Sequence, residues 1–153
     1  MYFQRRSACT RQQSDEVIDN LEKNYKNTMT EKGVQIVFCD IAINEDETHF
    51  SVYKAIKQAL MERGIPEKEI CFAGDAKTDK ARDEMFKSLR KGEKRFIIAS
   101  TSKLGTGANI QDRICAIHHL DIPWKPSDLT QQDGRGIRQG NRFSQVGIYH
   151  YLT

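Results

Sequence analysis

Residues 70–100 read ICFAGDAKTDKARDEMFKSLRKGEKRFIIAS, and this stretch fixes the fold class. Ile70-Cys71-Phe72-Ala73 is an apolar run of strand length. Thr78 is an N-cap residue ahead of Met85, Phe86 and Leu89 on one helical face, and Gly92 ends that helix before Arg95 to Ser100 turns apolar again. The same alternation extends in both directions. Upstream, Val34 to Cys39 predicts a strand, and Val52, Ile56, Ala59 and Leu60 predict a helix from about Thr48 to Arg63, stopped by Gly64-Ile65-Pro66. Downstream, Ile114 to Leu120 and Val146 to Leu152 predict strands on either side of a polar helix from Ser127 to Arg138. Strands that are apolar throughout and alternate with helices imply an α/β, doubly wound arrangement, a mostly parallel sheet covered on both faces. Ligands of such sheets sit beyond the carboxyl ends of the strands, so the loops after Cys39, Ala73, Ser100 and Leu120 are where chemistry belongs.

The 153 residues suffice for one core. With 38% hydrophobic and 29% charged residues and only three prolines, the composition is that of a globular domain rather than a disordered chain. No apolar run approaches the roughly 18 residues of a membrane span, so no membrane partner is expected. Met1 to Arg6 lacks a secretory apolar stretch, and Cys9, Cys39, Cys71 and Cys115 stand far apart without a C-x-x-C pair, which predicts reduced thiols in a cytoplasmic protein. Three segments are expected. Residues 1–13 form a loose start or tag remnant, since Tyr2-Phe3-Gln4 is similar to part of a protease-site tag. Residues 14–33 form a connector helix capped by Ser14, with Val17, Leu21 and Tyr25 at four-residue spacing, and 34–153 form the main domain.

Folding alone does not explain Gln131-Gln132-Asp133-Gly134-Arg135-Gly136-Ile137-Arg138-Gln139-Gly140. Glycine in a helix interior costs about 1 kcal/mol relative to alanine, yet two occur here where a helix is expected. Arg135 and Arg138, three apart on one helical face with Gln131 a turn earlier, make a fork of planar, permanently charged donors suited to a polyphosphate. Gly134 and Gly136 permit close approach of a phosphate or another backbone. An isolated R-x-x-R is usually a solvated, salt-bridged helix face. Here the spacing Gln-x-x-Gly-Arg-x-x-Arg resembles motif VI of superfamily-two helicases and translocases.

Upstream, Ser100-Thr101-Ser102-Lys103-Leu104-Gly105-Thr106-Gly107-Ala108-Asn109-Ile110 follows a predicted strand and offers hydroxyls and backbone amides to phosphates. It resembles motif V of the Swi/Snf-like branch at Ser100, Thr101, Gly105, Gly107 and Asn109. Val37-Phe38-Cys39-Asp40 looks like motif IV, and Asp121-Ile122-Pro123-Trp124-Lys125-Pro126 is similar to the segment that precedes motif VI in those motors. The C-terminal half is also similar to large bacterial, phage and mobile-element proteins that join a helicase to a DNA methyltransferase. His118-His119 invites a metal reading. Neighbours on a strand point to opposite faces, however, and no third ligand is evident, so packing roles are expected.

The resemblance implies the second, C-terminal lobe of a RecA-like three-layer sandwich, covering about Val34 to Leu152. A Walker A Gly-Lys-Ser or Gly-Lys-Thr is absent from the 153 residues. Asp15-Glu16-Val17-Ile18 imitates an acidic motif II, but it follows Arg11-Gln12-Gln13-Ser14 instead of an apolar strand and is rejected as a helix start. ATP and Mg2+ are therefore expected mainly on a first RecA-like lobe. By the resemblance, Arg135 and Arg138 are the catalytic arginines. Gln131, Gly134, Gly107 and Asn109 face nucleotide, while Ser100, Thr101, Lys103 and Gly105 contact DNA, which the Swi/Snf likeness implies is duplex. A fused methyltransferase domain is a further expected partner, and the chain by itself is expected to be inactive.

Charge is localised too. From Lys77 to Arg95 there are eight Lys or Arg against four Asp or Glu, a balance of +4 within a total of +3, which a solvated face or a phosphate contact explains equally well. Two other classes remain open. A catalytically silent lobe could serve as a DNA- or protein-binding module. A DNA methyltransferase fragment is approximated by Asp121-Ile122-Pro123-Trp124 and Phe72-Ala73-Gly74, but it lacks the second proline and the second glycine of those motifs.

Overall fold

The computed structural model describes residues 2–38, 45–99, 110–120, 143 and 146–151. Helix α1 (Tyr2–Asn27) leads into strand β1 (Val34–Phe38), followed by α2 (Glu45–Glu62), β2 (Ile70–Phe72), α3 (Asp79–Arg90), β3 (Phe96–Ala99), β4 (Ile114–His119) and β5 (Gly147–His150). The five strands form one sheet in the order β2-β3-β1-β4-β5, and every pairing is parallel. The architecture is α/β with a parallel sheet, as the strand-helix alternation predicts.

Both faces of the sheet are covered, which is why its strands are apolar without alternation. On one face Ile36, Phe38, Ile97, Ala99 and Ile117 pack with Phe86 and Leu89 of α3. On the other, Val37, Phe96 and Ile98 meet Val17, Leu21 and Tyr25 of α1 and Tyr53, Ile56 and Leu60 of α2. Each of these helices presents its predicted apolar spacing to the sheet.

Local codes end the helices where the sequence places the stops. Gly64, with φ of 91°, closes α2 in a Schellman motif: Ile65 N–H bonds Leu60 O at 3.1 Å and Gly64 N–H bonds Met61 O at 3.0 Å. Gly92, with φ of 77°, ends α3 identically through Glu93 to Ser88 and Gly92 to Leu89. Thr78 caps α3 by accepting from Ala81 N–H at 3.1 Å.

Helix α1 departs from expectation at both ends. It begins at Tyr2, so the stretch expected to be loose is helical and Ser14 lies inside the helix instead of capping it. Arg and Gln make up half of residues 2–13 and neither Gly nor Pro interrupts them, so propensity carries the helix past a serine that merely permits a start. The helix stops at Asn27, and a turn occupies the residues before Gly33. A side chain at Gly33 would lie 2.5 Å from Thr28 Oγ1 and 2.7 Å from Cys115 Sγ, so glycine there serves a close approach.

Candidate functional site

Parallel register brings the strand ends together at one edge of the sheet. Phe38 of β1 is level with Ala99 of β3 and with His119 of β4, and His119 is level with His150 of β5. The sequence leaves β1 toward Asp40, β3 toward 100–109 and β4 toward 121–142 from this carboxyl edge. The three segments singled out by sequence thus depart from neighbouring strands. Ser100, Thr101, Lys103, Gly105, Gly107, Asn109, Gln131, Gly134, Arg135 and Arg138 themselves lie outside the described residues, as do Cys39, Asp40 and the helix expected over 127–138.

What is described is the platform from which they leave. Ala99 and Ile110, which bracket 100–109, are both buried in the cluster under α3. Leu120 N–H bonds Phe38 O, and Tyr151 N–H bonds His119 O, each at 3.0 Å, which holds the ends of β4 and β5 to their neighbours.

A buried polar chain fixes the same strands to α1. His118 Nε2 lies 2.7 Å from Gln35 Oε1 and its Nδ1 2.8 Å from the Tyr151 hydroxyl. Gln35 Nε2 donates to Leu21 O at 2.8 Å, so the atom it offers to His118 is its carbonyl oxygen. His118 therefore carries its proton on Nε2, and Nδ1 accepts from Tyr151, whose oxygen in turn accepts from Asn20 Nδ2 at 3.0 Å. Asn24 Nδ2 reaches both Gln35 Oε1 and the Tyr149 hydroxyl. Tyr149 and Tyr151 also stack on the His118 ring. Polar residues inside apolar strands were the available signal, but nothing in the sequence names their partners.

Burial pushes the His118 imidazole down to about 3, with the adjacent His119 acting in the same direction. Its folded pKa thus lies below the ordinary value of about 6.5. The unfolded chain takes up the proton first, so stability is full above about pH 6.5 and falls as pH drops toward 3. We expect unfolding free energy to fall by about 2 kcal/mol between pH 7 and 5 from this group. Urea denaturation at the two pH values, with His118→Gln losing that component of the slope, checks it. An unchanged slope in the variant would refute the assignment.

His119 points to the opposite face and stacks on Phe38 with ring centroids 5.7 Å apart. The two histidines thus face opposite ways, as expected for a strand, and among the described residues no three His, Cys, Asp or Glu side chains converge on a metal position. Cys71 is a free thiol with its pKa pushed up to about 12 by burial, and it donates to Phe96 O. Such a thiol is unreactive. No described helix is long and apolar enough to cross a membrane.

Arg95, counted by sequence among surface charges, is 2% exposed. Its Nε donates to Gly33 O at 2.6 Å, and its NH2 donates to Tyr25 O, Thr28 O and Thr28 Oγ1. The guanidinium also lies 4.3 Å from the Tyr25 ring centroid. Tyr25 O and Thr28 O lie at the end of α1, where the helix dipole is negative, and Gly33 O lies just before β1, so Arg95 caps α1 and joins it to β1 and β3.

Comparison with known proteins bears on what such a platform carries. Residues 16–140 match the family described as helicase conserved C-terminal domain. Over 55 residues the chain is 36% identical to defense against restriction protein B of Escherichia phage P1, which covers 36% of this chain and 2% of that protein. The C-terminal part of the Fun30 ATPase domain superposes with a TM-score of 0.63 at 18% identity, over 86% of this chain and 39% of that one. The DUF1998 helicase MrfA bound to DNA gives 0.65 at 18% identity, over 92% of this chain and 18% of that one. The chain thus spans less than half the length of each of these proteins, and the two structural likenesses concern the fold.

Proposed function

Because the chain belongs to the helicase conserved C-terminal domain family, we propose that it is the second motor lobe of an ATP-dependent translocase acting on duplex DNA in the cytoplasm. The observation that carries this is the shared carboxyl edge, where β1, β3 and β4 end level with one another and from which the chain runs on toward the segments resembling motifs IV, V and VI. Residues that depart from adjacent strand ends can act on one ligand.

In this proposal a first RecA-like lobe, not these 153 residues, holds ATP and Mg2+. Arg135 and Arg138 reach across the interlobe cleft and stabilise negative charge on the transferring phosphoryl group, with Gln131 sensing the nucleotide and Gly134, Gly107 and Asn109 lining its approach. Ser100, Thr101, Lys103 and Gly105 hold the sugar-phosphate backbone, so lobe closure advances the DNA. A fused methyltransferase domain would share the same polypeptide, as the helicase-methyltransferase likeness suggests.

The test is DNA-stimulated ATP hydrolysis by a polypeptide that places this chain behind a first lobe, compared with the chain by itself. Turnover is expected in the joined protein alone, since the chain has no phosphate loop. Appreciable turnover by the pure 153 residues overturns the division of labour.

A further inference from the structure

The exposed face of α3 is built unlike a helix that is merely solvated. Lys80, Lys87 and Lys91 follow one another at seven and four residues. At 3.6 residues per turn this places them within about 40° of one another and along about 16 Å of helix. Lys91 keeps helical geometry, with φ of −83° and ψ of −9°. Phe86 and Leu89 are buried on the opposite side, so the three lysines point directly away from the sheet.

Helices that need only solubility interleave Glu and Lys at i,i+4 and gain a few tenths of a kcal/mol per pair. Glu84 stands four residues after Lys80 and three before Lys87, and Asp83 is four before Lys87. Yet among the described residues none of the three lysines makes an ion pair or a side-chain hydrogen bond. Lys87 and Lys91 are themselves a like-charged i,i+4 pair, which is unfavourable in an isolated helix. By contrast, most other basic residues close by are engaged within the fold: Arg95 caps α1, Arg113 donates to Arg90 O, Lys94 donates to Lys68 O, and Arg82 pairs with Asp79. Among the described residues the unpaired basic charge here is Lys77, ahead of the cap, and the line of Lys80, Lys87 and Lys91, which outnumber the one carboxylate within that line, Glu84.

Its chemistry selects the occupant. A membrane-surface helix would show large apolar side chains beside the lysines. The exposed large hydrophobics among the described residues are Met29, Met61 and Ile148, none of them on α3. A protein partner would be anchored by aromatic or arginine hot spots, which the stripe lacks. A row of strongly hydrated point charges without shape or apolar anchor suits a repeating polyanion.

We propose that Lys80, Lys87 and Lys91 form a second contact with the phosphate backbone of duplex DNA, separate from the segments 100–109 and 131–140; this rests on the proposal that DNA is the partner of this lobe. The contact carries no sequence information and holds the lobe on its track.

The test is binding of the 153-residue chain to a short mixed-sequence duplex by fluorescence anisotropy, between about 50 and 200 mM salt. The variants are K80E/K87E/K91E and, as a control with the same change in net charge, K23E/K26E/K54E on α1 and α2. Each contacted phosphate contributes about 0.9 to the slope of log affinity against log salt. The stripe variant is expected to lose at least about tenfold in affinity and about 2.7 in slope, and the control to lose less than about threefold. Equal losses in both variants, no duplex binding by the unaltered chain, or tighter binding to phosphatidylserine vesicles than to duplex would each overturn the proposal. Loss of ATP turnover on changing Arg138 is read separately in the joined protein. Failure of the motor assignment is thereby distinguishable from failure of the stripe.

Discussion

Arg138→Ala, placed in a polypeptide that joins this chain to a first lobe, is expected to lower DNA-stimulated ATP turnover by about a thousandfold or more. The expectation follows from where charge develops. In phosphoryl transfer the negative charge spreads over the equatorial oxygens of the transferring group, and a guanidinium supplied from a second lobe meets that charge only when the lobes close. The loss should therefore fall on kcat, with nucleotide binding largely retained, because the interaction belongs to the transition state. Arg138→Lys should recover little, since an ammonium cannot reproduce the planar, two-pronged donation of a guanidinium. Arg135→Ala should cost less if Arg138 is the residue nearer the reacting phosphoryl. Steady-state kinetics with and without DNA, together with nucleotide affinity, decides the matter. Equal activity of Arg138→Ala and the unaltered protein removes the finger role, and a catalytically silent module that binds DNA or protein then accounts better for the chain.

What could be read from sequence follows the range of each physical rule. Thr78, Gly64 and Gly92 are local codes whose partners lie within six residues, and each occupies the capping position its type predicts. The apolar runs at β1, β3 and β4 signal strands buried on both faces, which periodicity can report. The start of α1 differs from the one sequence predicts because Ser14 followed by Asp15 and Glu16 satisfies a start rule that the helix-forming stretch before it overrides.

The long-range polar contacts were not legible. Gln35 and His118 are 83 residues apart, and Arg95 and Tyr25 are 70 apart. A glutamine inside VQIVF and two histidines ending ICAIHH mark a polar exception in a core but do not say what satisfies it. Arg95 was the plainest loss. Sequence counts it as one of the eight basic charges from Lys77 to Arg95, whereas in the fold it is a buried cap on α1 and not a charge on the exposed face of α3. The candidate site shows the converse. Gln131, Arg135 and Arg138 stand out only because their spacing resembles motif VI, while the fold contributes the level strand ends from which their segment and residues 100–109 depart.

The burial of Arg95 makes the second large prediction. Replacing it with methionine fills much of the same volume but leaves the buried carbonyls of Gly33 and Tyr25 without their donor, while Thr28 O keeps the Gly33 N–H. Unsatisfied buried acceptors cost about 1–3 kcal/mol each, partly offset by removing a desolvated cation, so a net loss of about 3 kcal/mol is expected. For a chain of this size that corresponds to a fall in Tm of about 10 °C. Arg95→Lys should rescue only part, because one ammonium cannot span three carbonyls and also lie flat on Tyr25. The urea m-value carries separate information. If α1 and the sheet unfold as a unit, the midpoint falls and m is unchanged. A reduced m would mean that α1 has already left the sheet in the native variant, exposing the face that Val17, Leu21 and Tyr25 cover. A loss below about 1 kcal/mol with m unchanged would show that the turn after Asn27 satisfies those carbonyls without the guanidinium, and α1 would then be held by its apolar face and the His118 chain alone.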